Sequence, residues 1–155
     1  MSEQDGRETR GVIVDATDAV VAALSARLDA LLASWQLAID AKRNAPVKGD
    51  SVPKAPPEVL AELEQELADL ERRCASKRQA SEAETEVAGD WERRAMSAVQ
   101  DNRDDVARDA LNQLRNHLDA ARELADEASE LEVLRDSYRN AVKAVRVTSA
   151  AAATV

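Results

Sequence analysis

The stretch Trp91-Glu92-Arg93-Arg94-Ala95-Met96-Ser97-Ala98-Val99-Gln100-Asp101-Asn102-Arg103-Asp104-Asp105-Val106-Ala107-Arg108-Asp109-Ala110-Leu111 decides the fold. Helix-forming residues run up to Gln100 and resume at Arg103, and Asn102 between them tolerates a positive φ. Small residues at 95, 98, 107 and 110 let two backbones approach closely beside such a bend. Asp104 and Asp105 fall in the first turn of the outgoing helix, where carboxylates favour the positive end of the helix dipole and reach free N–H groups. Arg93 and Arg94 approach the opposite end of the incoming helix. The chain is expected to double back at 100–103.

Working outward, Pro57 suits the first turn of the incoming helix. Its apolar seam is expected at Leu60, Leu63, Leu67, Leu70 and Cys74, continuing through Ala83, Val87, Trp91, Ala95 and Ala98. The outgoing helix, to about Val147, carries its seam at Val106/Ala107, Ala110/Leu111, Leu114, Leu118, Ala121, Leu124/Ala125, Ala128, Leu131, Leu134, Tyr138, Val142 and Val145. A turn centred on residue 101 requires facing residues to have numbers summing to about 202. Charge, which played no part in choosing the seam, agrees with that rule. The block Glu58–Glu71 is acidic and faces Arg135, Arg139 and Lys143; the basic block Arg72–Arg78 faces Asp126, Glu127 and Glu130. Arg115 and Arg122 fall beside the acidic block Glu82–Asp90. Flanking charges of this kind set partner and register in coiled coils. The fold class is all-α: a long antiparallel helical hairpin over 58–147.

A separate amphipathic helix is expected ahead of the hairpin at 17–43, capped by Thr17, with its stripe at Val21, Leu24, Leu28, Leu31, Leu32, Trp35 and Ile39. This face can lie on a membrane surface or meet protein, packing on a hairpin or on a partner helix. Asp18, Asp29 and Asp40 offset its basic residues and favour the protein. Residues 1–16 read as a flexible tail, 44–57 as a Pro-rich linker and 148–155 as a frayed end.

Only 2% of the residues are aromatic, so Ala and Leu must make the core, which points to coiled-coil packing rather than a thick globule. The net charge of −9, with a pI near 4.7, offers no basic face to nucleic acid. Polar, acidic residues at the start exclude a secretory signal, and no unbroken apolar run approaches the ~20 residues that span a bilayer, so the expected address is cytoplasmic. Cys74, the single cysteine, excludes an internal disulfide and reads as a buried thiol. His117 has no second histidine or cysteine pair beside it, so neither a metal nor a cofactor is expected. No Gly-rich phosphate loop, nucleophile elbow or paired carboxylates in a pocket mark a catalyst, and a non-catalytic protein is expected. Trp91 reads first as a plug in a seam of small residues and second as a contact anchor.

The tip resembles that of phage shock protein A and the vesicle-inducing protein in plastids, relatives of ESCRT-III. Their pattern of Trp-x-x-Lys/Arg-Ala-x-x-Ala-Leu, a turn and Arg-Glu/Asp-Asp-Leu-Ala-Arg-x-Ala-Leu is filled here by Trp91, Arg94, Ala95, Ala98, Val99, Arg103, Asp104, Asp105, Val106, Ala107, Arg108, Ala110 and Leu111. The resemblance covers about twenty residues closely and the rest in architecture. It implies a homo-oligomeric scaffold, peripheral on the inner face of the cytoplasmic membrane, with a role in membrane stress and remodelling. It further implies partners among inner-membrane lipids, a AAA+ regulator or another family member. In that family a short membrane helix directly precedes the hairpin, whereas here a longer helix and a Pro-rich linker stand in its place. A soluble coiled-coil adaptor that sequesters a regulatory protein is the alternative.

Overall fold

The computed structural model describes the backbone of residues 5–44 and 56–153, and the side chains of 17–41 and 57–150. It is all-α: α1 spans Asp5–Asn44, α2 Pro56–Gln100 and α3 Asp104–Ala153. Two expected boundaries are corrected. α1 begins at Asp5 rather than at residue 17, so Thr17 is a buried residue inside the helix instead of its cap. Extension of a formed helix adds one hydrogen bond per residue fixed, which outweighs the ~1 kcal/mol penalty at each of Gly6 and Gly11. α3 continues past residue 147 to Ala153, because alanine is the best helix former and nothing in Ala150–Ala153 interrupts it. Of the expected linker, 45–55 lie outside the described residues, while Asn44 closes α1 and Pro56 and Pro57 open α2.

The chain divides into a base unit, residues 1–71 with 131–155, and a distal unit, residues 72–130. In the base unit α2 and α3 lie antiparallel, as two flanking ion pairs show: Glu64 to Arg146 at 2.6 Å and Glu71 to Arg139 at 3.3 Å. Beneath them Val59, Leu63 and Leu70 of α2 are buried, as are Leu131, Tyr138, Val142 and Val145 of α3. The two ion pairs join residues whose numbers sum to 210, eight beyond the expected 202. Each large side chain so buried stabilises the fold by about 1.5–3 kcal/mol, far more than the exposed ion pairs above it.

α1 belongs to the same unit. Leu28, Leu31 and Ala38 are buried, and Val21, Leu24, Leu32, Trp35 and Ile39 are half-buried. Arg27 reaches Glu66 at 2.9 Å and Glu62 at 3.5 Å, and the Tyr138 hydroxyl donates to the Leu24 carbonyl oxygen at 2.7 Å. The stripe foreseen as a membrane or partner face therefore packs on the base of the chain's own hairpin. Burial, then the Glu66 carboxylate, pushes the Tyr138 hydroxyl up to about 12, since both disfavour the phenolate.

The apolar character of α1 is spread along the helix rather than held in one run. Thr17–Ala41, 25 residues containing a window of mean hydropathy 1.2, is long and apolar enough by length and composition to cross a bilayer. Asp18, Arg27, Asp29 and Asp40 break it into shorter runs, which is why a search for an unbroken run passes over it.

Candidate functional site at the hairpin tip

The turn is built from backbone geometry that the sequence selects. Asn102 has φ 58°, the left-handed conformation that an Asn side chain tolerates better than most. The Arg103 N–H donates to the Ala98 carbonyl at 2.8 Å, and the Asn102 N–H donates to the Val99 carbonyl at 3.1 Å. These are the two bonds of a Schellman motif, and they satisfy carbonyls left over at the end of α2. The Arg103 carbonyl then accepts from the Ala107 N–H at 3.0 Å, so Arg103 occupies the N-cap position. Asp104 and Asp105 follow in the first turn of α3, where the dipole favours them.

Beside the turn the core is alanine. Ala88, Ala95 and Ala98 of α2 and Ala107, Ala110 and Ala121 of α3 are all buried. Trp91 is half-buried with the Arg94 guanidinium over its ring, 4.6 Å from the centroid, a cation–π contact. Arg93 pairs with Asp90 on the outer surface.

The distal seam differs from the expected one. Val87, Leu111 and Leu118 are exposed at 38%, 50% and 43%, and Ala83 is exposed too. The interior positions of α2 follow strict steps of three and four, through Cys74, Lys77, Ser81, Glu84, Ala88, Trp91, Ala95 and Ala98. Those of α3 run through Ala107, Ala110, Leu114, His117, Ala121, Leu124 and Ala128. Two direct contacts fix this register: Ser81 Oγ donates to the Ala121 carbonyl at 2.8 Å, and His117 Nδ1 lies 2.5 Å from Glu84 Oε2. Their numbers sum to 202 and 201, as the turn requires. The hydrophobic period misled because polar residues hold four interior positions while large apolar residues stand outside. Lys77, one of those four, reaches the buried carboxylate of Glu127 at 2.5 Å.

Of the residues foreseen at the tip, Ala95, Ala98, Ala107 and Ala110 come together in the core and Trp91 and Arg94 stack on each other. Asp104, Asp105, Arg108 and Leu111 face outward. Sequence reading missed the Glu84–His117 contact; its signal was the 3-4 spacing of Glu84 from Ser81 and Ala88. Among the described residues no group of three or more His, Cys, Asp or Glu side chains is placed to hold a metal ion. No family model, no curated protein and no solved structure matches the chain.

Proposed function

We propose that this chain is a non-catalytic helical scaffold or modulator of the phage-shock, ESCRT-III-like type, which associates through its hairpin and acts in membrane stress at the inner face of the cytoplasmic membrane. The observation that carries this reading is the construction of the tip. Four small residues of the family pattern, Ala95, Ala98, Ala107 and Ala110, are buried, while Met96, Val99 and Leu111 are left exposed. A hairpin that spends its alanines on its interior and keeps large apolar side chains outside has lateral surface to offer to another helix. The apolar character of Thr17–Ala41 supports a membrane association in which this segment takes part.

One observation favours a second reading, a soluble adaptor that sequesters a regulatory protein. The α1 stripe is engaged with the hairpin base through Leu28, Leu31 and the Tyr138–Leu24 bond, so lipid would have to displace it. Co-sedimentation with phosphatidylglycerol vesicles, together with negative-stain microscopy, separates the two. The scaffold reading expects lipid-bound rods or rings. Small particles that stay in the supernatant would favour the adaptor.

A further inference from the structure

The outer face of α3 in the distal unit carries a second pattern. Arg108, Leu111, Arg115, Leu118 and Arg122 follow one another at steps of three and four, and all five are exposed. This places them on one helical stripe, arginine alternating with leucine. Among the described residues none of the three guanidinium groups makes a hydrogen bond or ion pair, in contrast to Arg27, Arg93, Arg139 and Arg146. The neighbouring helix widens the stripe. Arg78 of α2 donates to Ser129, seven residues beyond Arg122, at 3.2 Å, so this column of α2 borders the arginine column of α3. That column continues through Thr85 and Glu92 to Val99, which is 59% exposed.

We infer that this face is a docking surface for an acidic amphipathic helix of another protein, its leucines packing on Leu111 and Leu118 and its carboxylates meeting Arg108, Arg115 and Arg122. Three points select this occupant. The 3-4 alternation is the spacing at which a second helix interdigitates. Unpaired arginines in a chain of net charge −9 call for carboxylate, and Arg pairs with carboxylate in a bidentate geometry. A second copy packing this face on its own equivalent would set Arg115 against Arg115 and Arg108 against Arg122. An anionic bilayer is disfavoured as well, because a flat lipid surface would also meet Asp119 and Asp126, on the α3 column just beyond the arginines, whereas a single helix seated along the Leu–Arg stripe covers only that stripe.

The test uses the full chain and two fluorescein-labelled, helix-stapled peptides of three heptads. They are identical in their leucines and differ only in having Glu or Lys at the flanking positions. Anisotropy should show the Glu peptide binding more tightly than the Lys peptide by at least about tenfold at low salt, with the difference shrinking as salt rises. Arg115→Glu and Leu118→Ser should each weaken binding about tenfold with the helical circular dichroism unchanged. Arg73→Glu, the same charge change on the other flank, should leave binding as it was. No binding of the Glu peptide, equal binding of both peptides, or equal loss in Arg73→Glu overturns the proposal. So does sedimentation of the chain with phosphatidylglycerol vesicles that Arg115→Glu abolishes, which would give the face to lipid.

Discussion

The Tyr138 hydroxyl donates to the main-chain carbonyl of Leu24 across 2.7 Å, joining α3 to α1 at a point where the tyrosine ring is fully buried. A carbonyl oxygen has two lone pairs, so the Leu24 acceptor has room for this bond beside one from within α1. Tyr138→Phe removes the hydroxyl and leaves the ring. The variant should lose about 1 kcal/mol in chemical denaturation and keep its helical signal.

The same residue gives a pH dependence. Its hydroxyl is raised from 10.0 to about 12, so the folded state holds the proton more firmly than the unfolded chain does. The resulting stabilisation is fully present below pH 10 and is lost as pH rises through about 12. The alkaline limb of a stability–pH curve should therefore be less steep in Tyr138→Phe than in the parent.

At the turn, Asn102 holds φ 58°. Asn102→Gly should be tolerated, whereas Asn102→Val should cost about 1–2 kcal/mol in thermal unfolding because a β-branched side chain resists the left-handed region. Equal melting temperatures for the two variants would contradict the turn geometry.

The alanine interior predicts a sharp positional contrast. Ala107→Leu and Ala110→Leu insert bulk into buried sites and should each cost about 1–3 kcal/mol. Ala83→Leu, on an exposed position, should change stability by less than about 0.5 kcal/mol.

Glu84 and His117 place a polar contact where a coiled coil usually keeps leucine or valine. With the side chains of His117 and Glu84 28% and 33% exposed the pair is only partly desolvated, so replacing both by Leu should raise stability by less than about 1 kcal/mol, while Glu84→Leu alone, which leaves the imidazole without its partner, should not raise it. Paired denaturation curves of the single and double variants check this.

These sites show where the sequence could be read and where it could not. The turn was legible because Asn102 has a specific backbone chemistry, and counting from it gives the pairing of Ser81 with Ala121 and of Glu84 with His117. The base was legible because Leu63, Leu70, Leu131 and Tyr138 repeat with an unambiguous apolar period. The distal unit was not, because Lys77, Ser81, Glu84 and His117 hold interior positions that the hydrophobic period assigns elsewhere. Leu111 and Leu118 drew the seam one position aside, and their exposure is what reveals the Arg–Leu face. The start of α1 was missed because residues 5–16 carry two glycines and no apolar repeat. The packing of α1 on the base depends on Tyr138, which lies 114 residues away from Leu24.

α2 and α3 lie antiparallel about one turn. Nitroxides at Glu71 and Arg139, with Cys74→Ala and dilution into unlabelled protein, measure this directly by pulsed dipolar spectroscopy, and Thr85 with Leu118 repeats it in the distal unit. Both pairs should lie within about 20 Å, an interaxial spacing of about 10 Å plus two label tethers. Separations beyond about 40 Å within one molecule would mean that the helices do not return on each other, and would contradict the fold and every surface derived from it.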